Sequence, residues 1–212
     1  AAMAWLVWRD GNLVYERYGA PELRMSLITS FSVSKTLTSM MIGRALCDQK
    51  IKSLDDMAVT YVPRLAGTAY EKNTLRSLIT MTTGVEHTPA QGGQDLNSLW
   101  KGEKTILETI AEKRRLPFQE AHFLKTFNYD NTATNVLGLV LRAATNEPLN
   151  EYFSRNFYQA ADPIQPGRWL RDKAGEEFTM GSFLALPRDH LRLSIHVLKI
   201  LRGEAGDACI QD

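Results

Sequence analysis

The sequence predicts an α+β fold: an N-terminal hairpin of an antiparallel sheet, then a helical lobe over about residues 32–202. Three observations predict it. Two short aromatic and β-branched runs flank an Asp-Gly turn signal at the start. Helical periodicity dominates after residue 32. Strands and helices do not alternate as they would in a parallel sheet. At 212 residues the chain suits one large domain, residues 1–212, or two intimately packed lobes.

The hairpin is Trp5-Leu6-Val7-Trp8 and Leu13-Val14-Tyr15 around Asp10-Gly11, closed by Tyr18-Gly19 and Pro21. Val33, Leu37, Met40, Met41 and Ala45 then define an amphipathic helix to about Gln49. Ser53 fits the N-cap of a short helix through Asp55, Asp56 and Met57. Thr74 caps a helix over residues 75–81, which Gly84 ends. Residues 85–102, with Pro89, Gly92, Gly93 and Gly102, read as a long loop. Helices fit residues 105–115, stopped before Pro117, and residues 132–144 and 149–158. Residues 161–183 are rich in Pro and Gly and read as loop. Pro187 suits the first turn of a last helix with Leu191, Ile195, Leu198 and Leu201 on one face.

Composition excludes several functions. Lys+Arg number 25 and Asp+Glu 24, so no cationic excess is there to grip nucleic acid. The most basic run, Lys113-Arg114-Arg115, reads as the solvated end of a helix. No apolar stretch reaches transmembrane length. No export signal is visible, which leaves periplasm and cytoplasm both open. Cys47 reads as a small core residue; it and Cys209 form no redox or zinc pattern. His87, His122, His190 and His196 lack metal-ligand spacing and read as structural or surface residues, and no metal or organic cofactor is expected. Nucleophile-elbow, Walker and Rossmann glycine patterns are missing.

Two patterns carry chemistry. Ser32-Val33-Ser34-Lys35 is an S-x-x-K at a helix start, where residues three apart share a face. There the free N–H groups and dipole of the helix favour developing negative charge. A lysine can act as base once desolvation lowers its pKa. The bland reading is an N-cap serine beside an exposed lysine. Ser98-Leu99-Trp100-Lys101 also matches S-x-x-K but has no helix start behind it. Tyr129-Asp130-Asn131, just before a predicted helix, puts Tyr129 and Asn131 on one side of an extended segment. Tyrosine can pass protons there, and an amide can hold a substrate carbonyl or the lysine.

The order and spacing of the two motifs resemble serine β-lactamases and penicillin-binding proteins. The surrounding text resembles them too, in Ile51-Lys52-Ser53-Leu54-Asp55-Asp56, Met81-Thr82-Thr83-Gly84, Thr134-Asn135-Val136-Leu137-Gly138 and Leu186-Pro187-Arg188-Asp189. The resemblance runs over about residues 4–202 and points to the branch of class C β-lactamases, family VIII esterases and 6-aminohexanoate-dimer hydrolases. It implies a β-lactamase/transpeptidase-like fold with catalytic Ser32, Lys35 and Tyr129, and Asn131 as a substrate or lysine contact. Small amide, lactam or ester substrates follow. Cell-wall D,D-peptidase or transpeptidase work, or a weak or non-enzymatic binding domain, are the alternatives. The family's third motif, Lys/His-x-Gly on a late strand, has no counterpart before Asp212. The expectation is therefore that C-terminal sheet strands are missing, that the site is catalytically weak, and that the hairpin edge pairs with further polypeptide or a second copy. Glu147-Pro148-Leu149-Asn150 superficially matches a deacylating Glu-x-x-Leu-Asn, but is one residue short and reads as a turn and a cap.

Overall fold

A computed structural model describes residues 3–116 and 126–205. Strands β1 (Ala4–Arg9) and β2 (Asn12–Tyr18) form the expected antiparallel hairpin. Asp10 and Gly11 take φ of 49° and 84°, the two positive values that a tight hairpin turn matching the strand twist demands. The register shifts between Val7 and Trp8 and leaves Val14 without a partner, a bulge. Trp5, Val7 and Val14 are exposed.

A second antiparallel sheet has the order β3 (Ile28–Thr29), β5 (Phe183–Ala185), β4 (Arg168–Trp169). Two of its strands fall within or at the edge of residues 161–183, which were expected to be loop. Pro and Gly punctuation masked an aromatic nucleus there. Trp169 and Phe183 lie 4.7 Å apart between ring centres, and Phe153 packs edge-on to both. Gly167 permits this closure, because a Cβ would sit 2.6 Å from the Phe183 ring.

The helical lobe surrounds one long buried helix. In chain order its helices are α1 (Val33–Cys47), α2 (Ala58–Tyr61), α3 (Leu75–Ile79), α4 (Pro89–Trp100), α5 (Ile106–Ala111), α6 (Asn131–Thr145), α7 (Leu149–Phe153) and α8 (Pro187–Leu201). Every residue of α6 from Thr132 to Leu141 is buried, with α1, α2, α3 and α5 packed around it. A π-helical turn, Ser154–Tyr158, continues α7.

Several expectations need correction. Residues 85–102 are mostly helix, because Thr88 and Gln91 form a capping box and Pro89 occupies the first turn. Ser53 caps no helix; its N–H bonds Asp56 in a turn, and α2 begins later, at Ala58. Lys113 is not solvated: its side chain is 6% exposed and donates to Asp95 at 2.5 Å. Arg115 pairs as an extended residue with Val85. Cys47 is exposed on α1 rather than part of the core. Asn150 lies inside α7, where its side chain bonds both backbone groups of Trp169 instead of capping. In α8 Leu193 and Ile200 are buried and Val197 is half-buried beside them, while Leu201 faces water. His122 and Cys209 lie outside the described residues.

Candidate active site

Ser32 stands where the small sheet passes into α1. The Ser30 N–H donates to the Phe183 carbonyl at 2.8 Å, and the Thr29 hydroxyl donates to the Gly181 carbonyl at 2.9 Å. The chain turns at Phe31, with φ 45°, and enters the helix. Ser32 occupies the N-cap position, yet its hydroxyl makes no capping bond. The hydroxyl instead accepts from the Tyr129 hydroxyl at 2.8 Å and from Lys35 Nζ at 3.2 Å. Among the described hydrogen bonds, none uses the Ser32 backbone N–H.

Lys35 also donates to the Met180 carbonyl at 2.5 Å, and its Nζ lies 5.2 Å from the centre of the Tyr129 ring. Burial lowers its pKa from the usual 10.5, against the opposing pull of Tyr129 and Asp130. Met180 is itself held from α6: its N–H donates to the Asn135 side chain at 3.1 Å. Gly138 lets Thr179 lie on the same helix, since a Cβ there would meet Thr179 at 2.9 Å.

Tyr129 is placed by its neighbours in sequence. Asn128 bonds the Met81 carbonyl at 2.9 Å and, through its side chain, the Val85 carbonyl at 3.1 Å. Asp130 caps α6 through the Ala133 N–H and is completely buried. It accepts from the Tyr70 hydroxyl at 2.7 Å and the Thr83 hydroxyl at 3.2 Å, and His87 Nδ1 lies 3.6 Å away. Burial raises the pKa of Tyr129, but the bonds to Ser32 and Lys35 and the Lys35 charge outweigh it. The phenol is left below its usual 10. Asn131 opens α6 and, with Phe31, Ser32, Leu96, Met180 and Gly181, lines a cavity of about 40 Å³. Three of the four expected site residues thus share hydrogen bonds or ring contact, and the fourth lines the same cavity as Ser32.

The family model described as Beta-lactamase matches residues 1–169. The chain belongs to the β-lactamase family. Its fold is shared with a protein described as a 6-aminohexanoate-dimer hydrolase from Bacillus anthracis, at 24% identity and a TM-score of 0.81, over 98% of this chain and 56% of that one. A penicillin binding protein from Bacillus halodurans aligns with a TM-score of 0.70 and 16% identity, over 97% of this chain and 72% of its own. A class C β-lactamase aligns at 0.65 and 18%, over 98% and 61%. The chain thus spans little more than half of the first of these. No curated protein matches it in sequence.

In this β-lactamase-family chain the second S-x-x-K is placed differently. Ser98 lies in the last turn of α4 and Lys101 is its C-cap, paired with Glu103. A helix C-terminus repels developing negative charge. Glu147 forms a two-bond pair with Arg155. Among the described residues no cluster of His, Cys, Asp or Glu could hold a metal ion, and no helix is long and apolar enough to cross a membrane. Sequence reasoning did not find Asp130, Tyr70, Asn135 and Met180 as supports of the site. Only the position of Asp130 between Tyr129 and Asn131 offered a local signal, since Asp is a favoured N-cap.

Proposed function

We propose that the chain is an acyl-transfer serine hydrolase acting on small esters, amides or lactams. The observation that carries this reading is the convergence of Lys35 and Tyr129 on the Ser32 hydroxyl, 3.2 and 2.8 Å away. Once Tyr129 has lost its proton to solvent through the Lys35-stabilised phenolate, it takes the proton of Ser32. Ser32 Oγ bonds to the carbonyl carbon, the carbon–heteroatom bond to the leaving group breaks, and that heteroatom leaves with the proton from Tyr129. Water then repeats the exchange and frees the acid. The Ser32 N–H, at the start of α1, serves as one donor to the carbonyl oxygen as it gains charge.

The test is covalent labelling with a fluorophosphonate and with a penicillin, followed by peptide mass mapping. A single adduct on the peptide holding Ser32, lost in Ser32→Ala, is expected. An adduct on Ser98, or equal labelling of Ser32→Ala, contradicts the assignment. The exposed apolar face of the hairpin, with Trp5 60% exposed, supports a second proposal, that two copies associate along its edge. Sedimentation at rising concentration should show a dimer that Trp5→Glu abolishes.

A further inference from the structure

Two exposed aromatic residues, one of them next to Ser32 in sequence, lie against each other. Phe31 is 51% exposed and Trp100 43%, with ring centres 6.0 Å apart and planes tilted by 54°. Phe31 directly precedes Ser32 and holds a left-handed backbone, which bulky residues rarely adopt and which persists only where surrounding structure enforces it. Leu96 stands one helical turn before Trp100 on α4, so the two share a face. Phe31 and Leu96 also line the small cavity beside Ser32, together with Asn131, Met180 and Gly181; none of these lining residues is charged.

We infer that Phe31, Leu96 and Trp100 form the acyl-side specificity wall of the site, and that the substrates are neutral derivatives of apolar carboxylic acids. The inference rests on the acyl-transfer reading above. Geometry selects the acyl side. The leaving heteroatom must collect its proton from Tyr129, so it lies toward that hydroxyl. Tyr129 does not line the cavity. The other substituent of the attacked carbon therefore points away from Tyr129, into the cavity and on toward the rings. A cavity of about 40 Å³ takes only the first carbons of an acyl chain. Longer chains run out over Leu96 and the Phe31–Trp100 pair, covering apolar surface that otherwise faces water. A fully buried methylene is worth about fourfold in binding, and a half-covered one about twofold. A carboxylate on the acyl chain would lose hydration there, and no residue lining the cavity carries a positive charge to replace it.

The experiment measures kcat/KM for p-nitrophenyl acetate, butyrate and octanoate, and for the p-nitrophenyl monoester of succinate. Butyl and octyl acetates vary length on the leaving-group side. Each is run on the full chain and on Trp100→Ala and Phe31→Ala. Rates should climb about two- to fourfold per methylene of acyl chain to butyrate and more gently beyond. The succinate ester should be at least tenfold slower than butyrate. Trp100→Ala, at an exposed helix end, should flatten the gain from butyrate to octanoate and so lower the octanoate-to-acetate ratio of kcat/KM. A length dependence that follows the alcohol, or an unchanged octanoate-to-acetate ratio in both variants, overturns the inference while Ser32 still acylates. Absence of any adduct on Ser32 with every ester overturns the acyl-transfer reading and this one with it.

Discussion

The Tyr70 hydroxyl donates to the Asp130 carboxylate at 2.7 Å, with both residues withdrawn from solvent. Asp130 is the middle residue of Tyr129-Asp130-Asn131, the one that a motif reading treats as arbitrary. Here it anchors the other two. Its carboxylate takes Tyr70, Thr83 and the Ala133 N–H, which fixes where α6 begins and hence where Tyr129 and Asn131 stand.

Removing that anchor should cost more than removing either hydroxyl. Asp130→Ala leaves Tyr70, Thr83 and the Ala133 N–H buried without an acceptor, at about 1–3 kcal/mol for each unmet group. Tyr70→Phe deletes one donor and should cost about 1–2 kcal/mol. Urea unfolding of both variants measures the difference. If Asp130→Ala proves no less stable than Tyr70→Phe, the carboxylate is not the centre of the network.

Acylation should rise with pH. Lys35 and Tyr129 are both pulled below their ordinary values of 10.5 and 10.0: Lys35 by burial, and Tyr129 by Ser32 and Lys35 against the opposing effect of burial. They act as one pair with apparent constants of its own. The reactive form has lost a proton, so kcat/KM should fall about tenfold for each pH unit below the pair's first constant and level off above it. Tyr129→Phe should lower the rate by about a hundredfold or more. Lys35→Ala should shift the rising limb to higher pH, toward the ordinary tyrosine value. A flat profile between pH 6 and 10 would remove both residues from proton transfer.

The join between hairpin and lobe also rests on a single carboxylate. Glu16 takes two hydrogen bonds from Arg188, at 2.7 and 2.6 Å. The Arg188 bond, opposed by burial, pulls the Glu16 carboxyl from 4.5 to about 2. A lowered carboxylate adds stability at pH above 4.5, and that stability drains away as pH falls from there through 2. The pair is partly exposed, so Glu16→Gln should cost under about 1 kcal/mol at pH 7. The gap in melting temperature between the native chain and Glu16→Gln should narrow at pH 3. A gap that widens on acidification would assign the stabilisation to something other than the carboxylate.

The sequence disclosed what local spacing decides. Ser32 and Lys35 are three apart at a helix start, so their contact follows from helix geometry. Asp10-Gly11 forces its turn by the same locality. Tyr129 lies 97 positions from Ser32, and only the family order of motifs joined them. Contacts without a motif stayed hidden: Lys35 with the Met180 carbonyl spans 145 positions, and Asn135 with the Met180 N–H spans 45. The pattern misled where one residue type has two uses. Gly92 and Gly93 looked like loop punctuation and hid α4, although the Thr88–Gln91 capping box was readable before them.

That pair of glycines gives the sharpest test of how the site is packed. Both lie inside α4, and neither has a positive φ. On helix propensity alone each Gly→Ala change should stabilise by about 0.5–1 kcal/mol. Gly93 is exposed, and an added Cβ meets nothing within 4 Å, so Gly93→Ala should show that gain and leave activity unchanged. Gly92 is buried, and its Cβ would stand 2.6 Å from Asn131 Nδ2 and 2.7 Å from His87 Nε2. Those atoms are closer than contact allows, and His87 has little room to retreat, with its Nδ1 only 3.6 Å from the buried Asp130 carboxylate. Gly92→Ala should therefore forfeit the propensity gain and lose about 1–3 kcal/mol to overpacking. It should also lower kcat/KM, because Asn131 is the side chain displaced and it lines the cavity beside Ser32. Thermal unfolding and ester turnover of the two alanine variants, measured side by side, give the answer. If Gly92→Ala were as stable and as active as Gly93→Ala, the close approach of α4 to Asn131 would have no part in shaping the site.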